Sequence, residues 1–192
     1  MRNQKTLQYI KEYGKYVEIA GYQGIVFEKA EMFLKANRKQ TKQNIDIQFF
    51  DAELIATQEH LYFAVLNALQ AFENKMNLSK SPAMETMLYA SAQRQIQKAI
   101  ERCGIKPKTK SMALIIIGDD PKQIETALET VTKSVGSAPD GTVLEMTKNK
   151  ETKIKKAFEI TKEELKILKN GNQNKAIVNL IIERIALLAT QL

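Results

Sequence analysis

Met112-Ala113-Leu114-Ile115-Ile116-Ile117-Gly118, followed by Asp119-Asp120-Pro121, decides how this chain folds. An unbroken apolar run rich in isoleucine and closed by glycine reads as a strand buried on both faces, and it is far too short to cross a bilayer. Asp120 and Pro121 then read as the N-cap and first residue of a helix that buries Ile124, Leu128, Val131 and Val135 and ends at Gly136.

Working outward, Tyr16 to Gly24 alternates and ends in a turn, and Ile25 to Ala36 reads as a modest helix. The polar stretch Asn37 to Asn44 reads as a loop, and Ile45 to Phe50 as a second alternating strand. Thr57 caps a helix running to about Lys75, with Leu61, Val65, Ala68, Leu69 and Phe72 in strict helical period. Ser81 and Pro82 open a helix expected to run without interruption to Gly104. Beyond the Pro139-Asp140-Gly141 turn, Val143 to Met146 is a short strand candidate, and Glu151 to about Leu168 reads as one basic amphipathic helix. The last helix, Lys175 to about Thr190, carries apolar residues on more than one face, so it is either central to the core or covered by a partner. With no internal repeat, these elements make one α+β domain over residues 1–192, helix-rich, around a small sheet of about three to four strands. The boundary most open to challenge lies near residue 40.

A chain of 192 residues with 44% hydrophobic content has enough apolar mass for a core, which excludes a disordered segment as the default. The formal net charge of +7 favours an acidic partner, and the excess concentrates in residues 1–16 and in the Lys-rich stretch 147–169. That stretch is either a solvated face or a set of phosphate contacts. The single cysteine, Cys103, rules out an internal disulfide and a multi-cysteine zinc site and fits a reducing compartment. The N-terminus has no apolar core of a signal segment, so an intracellular, cytoplasmic protein is expected.

Catalytic chemistry finds little to stand on. His60 is the only histidine; it either stabilises the start of its helix or transfers a proton, and no third group to orient it can be named. The glycines at Gly21 and Gly24 and the Gly118-Asp119-Asp120 corner match neither a dinucleotide fingerprint nor a phosphate-binding loop. Asp119 and Asp120 are explained by capping. Cys103 falls on an apolar stripe with Leu88, Ala92, Ala99 and Ile100, as a buried small residue or a reactive thiol. No catalytic residue, metal, cofactor or small-molecule substrate is expected.

On one continuous helix, Ser91, Gln95, Lys98 and Arg102 would stack along one side with Arg94 beside them. Arginine and glutamine present planar donors suited to phosphates, base edges and stacking, or else to holding a neighbouring loop.

These residues also resemble a family. Ala56-Thr57 with His60, then Glu85, Leu88, Ser91, Arg94-Gln95-Ile96, Ala99-Ile100 and Gly104, Val143-Leu144-Glu145, and the ending Glu183 to Leu188 are similar to the small kinase-binding subunit of the KEOPS complex, called the PRPK-binding protein in animals. The resemblance spans about Ile45 to Leu188, and residues 1–44 match only loosely. It implies a non-catalytic subunit that docks on the kinase-like ATPase subunit of the complex and, in archaeal members, grips the single-stranded 3′ CCA end of tRNA for threonylcarbamoyladenosine formation next to the anticodon. The alternative is a purely protein-binding allosteric regulator of that ATPase with no RNA contact. The residues implied at the RNA are Ser91, Arg94, Gln95 and Lys98 with Gln93 and His60; those implied at the kinase-like subunit are Ile181, Ile185, Leu187 and Leu188. The family often carries glycine where this chain has Ala92, and alanine, a better helix former, is expected to let the helix continue.

Overall fold

The structure is a computed structural model, and it describes residues 7–39, 45–168 and 172–190. At its centre, strand β4 (Ser111–Gly118) is buried along its whole length. β2 (Lys15–Gln23) pairs with one edge of it and β3 (Ile45–Asp51) with the other, both antiparallel, and β1 (Gln8–Ile10) joins β2 from outside, giving the order β1-β2-β4-β3. The alternation of the pleat divides β4 between two cores. Ala113, Ile115 and Ile117 share one with Val17, Ile19 and Phe50; Met112, Leu114 and Ile116 share the other with Ala20, Tyr22 and Phe49. An antiparallel strand covered on both faces has no reason to alternate, hence the continuous apolar run.

Helices α1 (Phe27–Lys39) and α5 (Pro121–Val135) cover the second core. Asp120 accepts from the Lys122 N–H, and Gly136 ends α5 in the left-handed conformation, as the sequence predicts. The first core lies under α2 (Gln58–Glu73), α3 (Pro82–Ser91), α4 (Ile96–Cys103), α6 (Lys148–Ala157), α7 (Lys162–Leu168) and α8 (Gln173–Thr190). Thr57 caps α2 and Ser81 caps α3, each accepting from the N–H three residues on. The expected loop at Asn37 to Asn44 gives way at its start to α1, and its residues 40–44 lie outside the described ones.

Three sequence expectations are corrected. Val143 to Met146 is no strand: residues Gly141–Leu144 form a 3-10 turn capped by Asp140, with Val143 and Leu144 buried. Its carbonyls find a side chain instead of a strand partner, because the buried Lys150 Nζ donates to Val143 O at 2.7 Å and Glu145 O at 3.3 Å. This turn presses against the free edge of β2, where the Asp140 N–H donates to Gly21 O at 2.7 Å. Gly21 permits the approach, since a Cβ there would stand 2.0 Å from Val143 Cγ2. The fourth strand is β1, which the sequence reading passed over.

The helix expected from Ser81 to Gly104 is two helices, and so is the one expected from Glu151 to Leu168. Both breaks share one geometry. Ala92 (φ 50°) and Glu159 (φ 53°) are left-handed. The Gln93 N–H reaches back to Leu88 O and the Ala92 N–H to Tyr89 O; Ile160 and Glu159 repeat the pattern on Lys155 and Lys156. These are Schellman closures with a non-glycine residue at the left-handed position. Thr161 and Glu164 then restart the chain as α7 through a reciprocal capping box. The break at Ala92 means that Ser91, Gln95, Lys98 and Arg102 do not line one side of one helix.

Candidate functional site: the α3–α4 turn

The turn from Ser91 to Gln95 is fixed from behind by two side chains. His60 Nδ1 accepts from the Ala56 N–H at 3.1 Å, so Nε2 carries the proton and donates to Ala90 O at 2.8 Å. The ring is fully buried, 5.7 Å edge-on from Phe158, and burial lowers its pKa to about 4, leaving it neutral. From α4, Arg102 Nη1 donates to Ser91 O at 3.0 Å while its guanidinium lies 5.5 Å from the Phe158 ring centre. The last carbonyls of α3 are thereby satisfied by side chains.

His60 and Ser91 are thus buried supports and offer no surface to a ligand. The Ser91 hydroxyl donates to Leu88 O at 3.0 Å inside the fold. Glu85 is a support as well, its carboxylate accepting from the N–H groups of Leu78 and Ser79. Cys103 is buried, and desolvation pushes its thiol up to about 12.

What the supports hold out is the outer side of the turn. Gln93 is half-buried, and Arg94, Gln95 and Lys98 are exposed. Gln95 is the N-cap residue of α4 with no side-chain capping bond, so the first-turn N–H groups of that helix lack a side-chain acceptor. Ile96 and Ile100, one turn apart on α4, stand 42% and 38% exposed beside these polar groups. Sequence reasoning missed this pair by placing Ile100 on the inward stripe. The unbroken-helix phase carried that error.

Behind the turn a cleft of ≈ 270 Å³ opens towards α8. Ala92, Gln93 and Arg102 form one wall, Phe158 and Glu159 another, and Arg184, Leu187 and Leu188 the third. Arg184 is already committed to Glu164 at 2.8 Å. On α8 itself, Ile181 and Ile185 are fully buried and Leu188 is nearly so, whereas Leu187 is 49% exposed. The apolar excess of the last helix is mostly core, and as an outward-facing group only Leu187 remains of the four.

Three lysines of the Lys-rich stretch are committed within the fold. Lys150 is buried, and desolvation lowers its pKa to about 8. Lys153 pairs with Glu53 at 2.9 Å and Lys155 with Glu151 at 2.7 Å. Among the described residues, no group of three or more His, Cys, Asp or Glu could hold a metal ion, and no helix is long and apolar enough to cross a membrane.

The fold and this turn define a small α+β protein that presents a polar surface on a hydrogen-bonded frame. The family model described as "Kinase binding protein CGI-121" matches residues 26–189, and the chain belongs to that family. It is 31% identical to "Regulatory protein Cgi121" of Methanocaldococcus jannaschii over 144 residues, which cover 75% of this chain and 83% of that protein.

Proposed function

We propose that the chain is a non-catalytic regulatory subunit of the KEOPS assembly that binds the kinase-like ATPase subunit and recruits tRNA through its single-stranded 3′ CCA end. It would work in the cytoplasm, with no small-molecule substrate of its own. The names of the family and of the archaeal relative, kinase-binding and regulatory, support the protein-binding half of this reading. The RNA half rests on the family resemblance and on one observation, the composition of the outer α3–α4 turn. Arg94 and Gln95 offer planar donors, Lys98 offers a cation, and Ile96 and Ile100 offer an apolar platform beside them. Single-stranded RNA is held by this combination of phosphate contacts, edge hydrogen bonds and apolar stacking. Gln93 lines the inner side of the same turn, with His60 and Ser91 as its supports.

Filter binding or fluorescence anisotropy with a tRNA and the same tRNA lacking CCA tests this. Trimming is expected to weaken binding by tenfold or more, and Arg94→Ala to remove about 1–3 kcal/mol from the intact tRNA only. Equal affinity for both RNAs overturns the CCA grip, and binding of neither leaves the purely protein-binding regulator.

A further inference from the structure

Residues 94–110 carry six cations, Arg94, Lys98, Arg102, Lys106, Lys108 and Lys110, against the one anion Glu101, a net of +5 in a chain whose total is +7. This segment is as basic as the Lys-rich stretch. Among the described residues, none of Lys98, Lys106, Lys108 and Lys110 is in an ion pair.

The last three of these stand on the link between α4 and β4, where the backbone is pinned. Thr109 N–H donates to Lys106 O at 2.8 Å, closing a turn around Pro107 and Lys108, and the Lys106 N–H donates to Thr109 Oγ1 at 2.9 Å. The Thr109 hydroxyl, buried, donates to Asp51 Oδ2 at 3.2 Å, and the Ile25 N–H donates to Lys110 O at 3.2 Å. Three exposed ammonium groups therefore project from a fixed base. Solubility alone does not require a turn held so firmly. Concentrated positive charge on a rigid turn suits a partner with regularly spaced negative charges.

We infer that the Lys106–Lys108–Lys110 turn is a second nucleic-acid contact, one that takes the phosphate backbone of the double-stranded stem adjoining a single-stranded RNA end. The inference rests on the RNA half of the reading above. α4 separates the two contacts: its eight residues rise about 12 Å, the length of three to four stacked nucleotides at about 3.4 Å each. An end gripped at Gln93 to Lys98 thus brings paired backbone to the other end of the helix. A membrane or an acidic protein fits less well, because no residue of 104–110 is an exposed large apolar side chain that could anchor in lipid or in an interface core.

The test uses the full chain, the triple variant K106A/K108A/K110A and the charge-conserving K106R/K108R/K110R. Each is titrated with intact tRNA, with tRNA trimmed of its single-stranded 3′ nucleotides, and with vesicles containing phosphatidylserine, across a salt series. The alanine variant should lower the slope of log affinity against log salt by about one for each phosphate that is no longer neutralised, equally for intact and trimmed tRNA. The arginine variant should restore it. A wild-type slope in the alanine variant, a weakening confined to intact tRNA, or vesicle binding in place of RNA binding overturns the inference. Should the wild-type chain bind intact and trimmed tRNA equally, end recognition fails, yet the slope change on trimmed tRNA still decides this contact.

Discussion

Ala92 sits at a left-handed position that closes α3, and the cost of that placement falls on one residue. An L-residue there loses roughly 1–2 kcal/mol to contact between its Cβ and its own backbone, most of which glycine avoids. The turn it creates is what lets Arg94 and Gln95 face solvent while Ser91 faces the core. Ala92→Gly is accordingly expected to stabilise the chain by about 1 kcal/mol, net of glycine's greater freedom in the unfolded chain. Urea denaturation measures this; an unchanged or lower midpoint at constant m would mean the position carries no strain. Behind the turn, His60 acts through two hydrogen bonds of defined tautomer, a role fitting the helix-start reading and requiring no proton transfer. Its identity was legible as a lone histidine three residues past a cap. Its long-range partner, the Ala90 carbonyl, was not, because contacts 30 residues apart leave no mark in local spacing.

At the scale of elements, α5 rests on β2 over a carboxylate. Glu18 is buried beneath it, and desolvation, with Glu125 adding like charge, raises its pKa to about 7. The unfolded value is near 4.5, so the neutral form is preferred on folding. The stability associated with that preference is complete below pH 4.5 and is lost as pH rises through 7. Glu18→Gln should match the parent at pH 4 or below and exceed it by roughly 2–3 kcal/mol at pH 8, followed by thermal denaturation at both pH values. A constant difference between the two proteins would show that Glu18 does not titrate in this window. α5 itself was readable end to end, since Asp120, Pro121 and Gly136 punctuate it. α3 was legible only at its start, and α6 begins at Lys148 under a Thr147 cap, three residues before the expected Glu151. Each ends on a non-glycine left-handed residue, and neither Ala92 nor Glu159 signals a stop by composition. The 3-10 turn at Gly141–Leu144 escaped for another reason: the bonds that hold it come from Lys150 and its docking on β2, which are tertiary.

For the molecule as a whole, the distinction that matters is between apolar groups used to hold the fold and those left over. The pattern of the last helix showed an apolar excess but not its address, because periodicity reports which residues are apolar and says nothing of how many neighbours a helix has. In the fold, α8 lies against α2 and α3, and Ile181 and Ile185 are fully buried. Leu187, on the wall of the cleft, is left outward. Of the four α8 residues that the family resemblance implies at the kinase-like subunit, Leu187 is the exposed one. Leu187→Glu is expected to keep the parent stability within about 0.5 kcal/mol, as exposed substitutions do, while weakening capture of the kinase-like subunit at least tenfold. Ile181→Glu should unfold the chain, because an unpaired carboxylate would enter the core at a cost upwards of about 4 kcal/mol. Circular dichroism and a pull-down on the two variants separate the cases. Undiminished capture by a folded Leu187→Glu variant would move the kinase contact off Leu187 altogether.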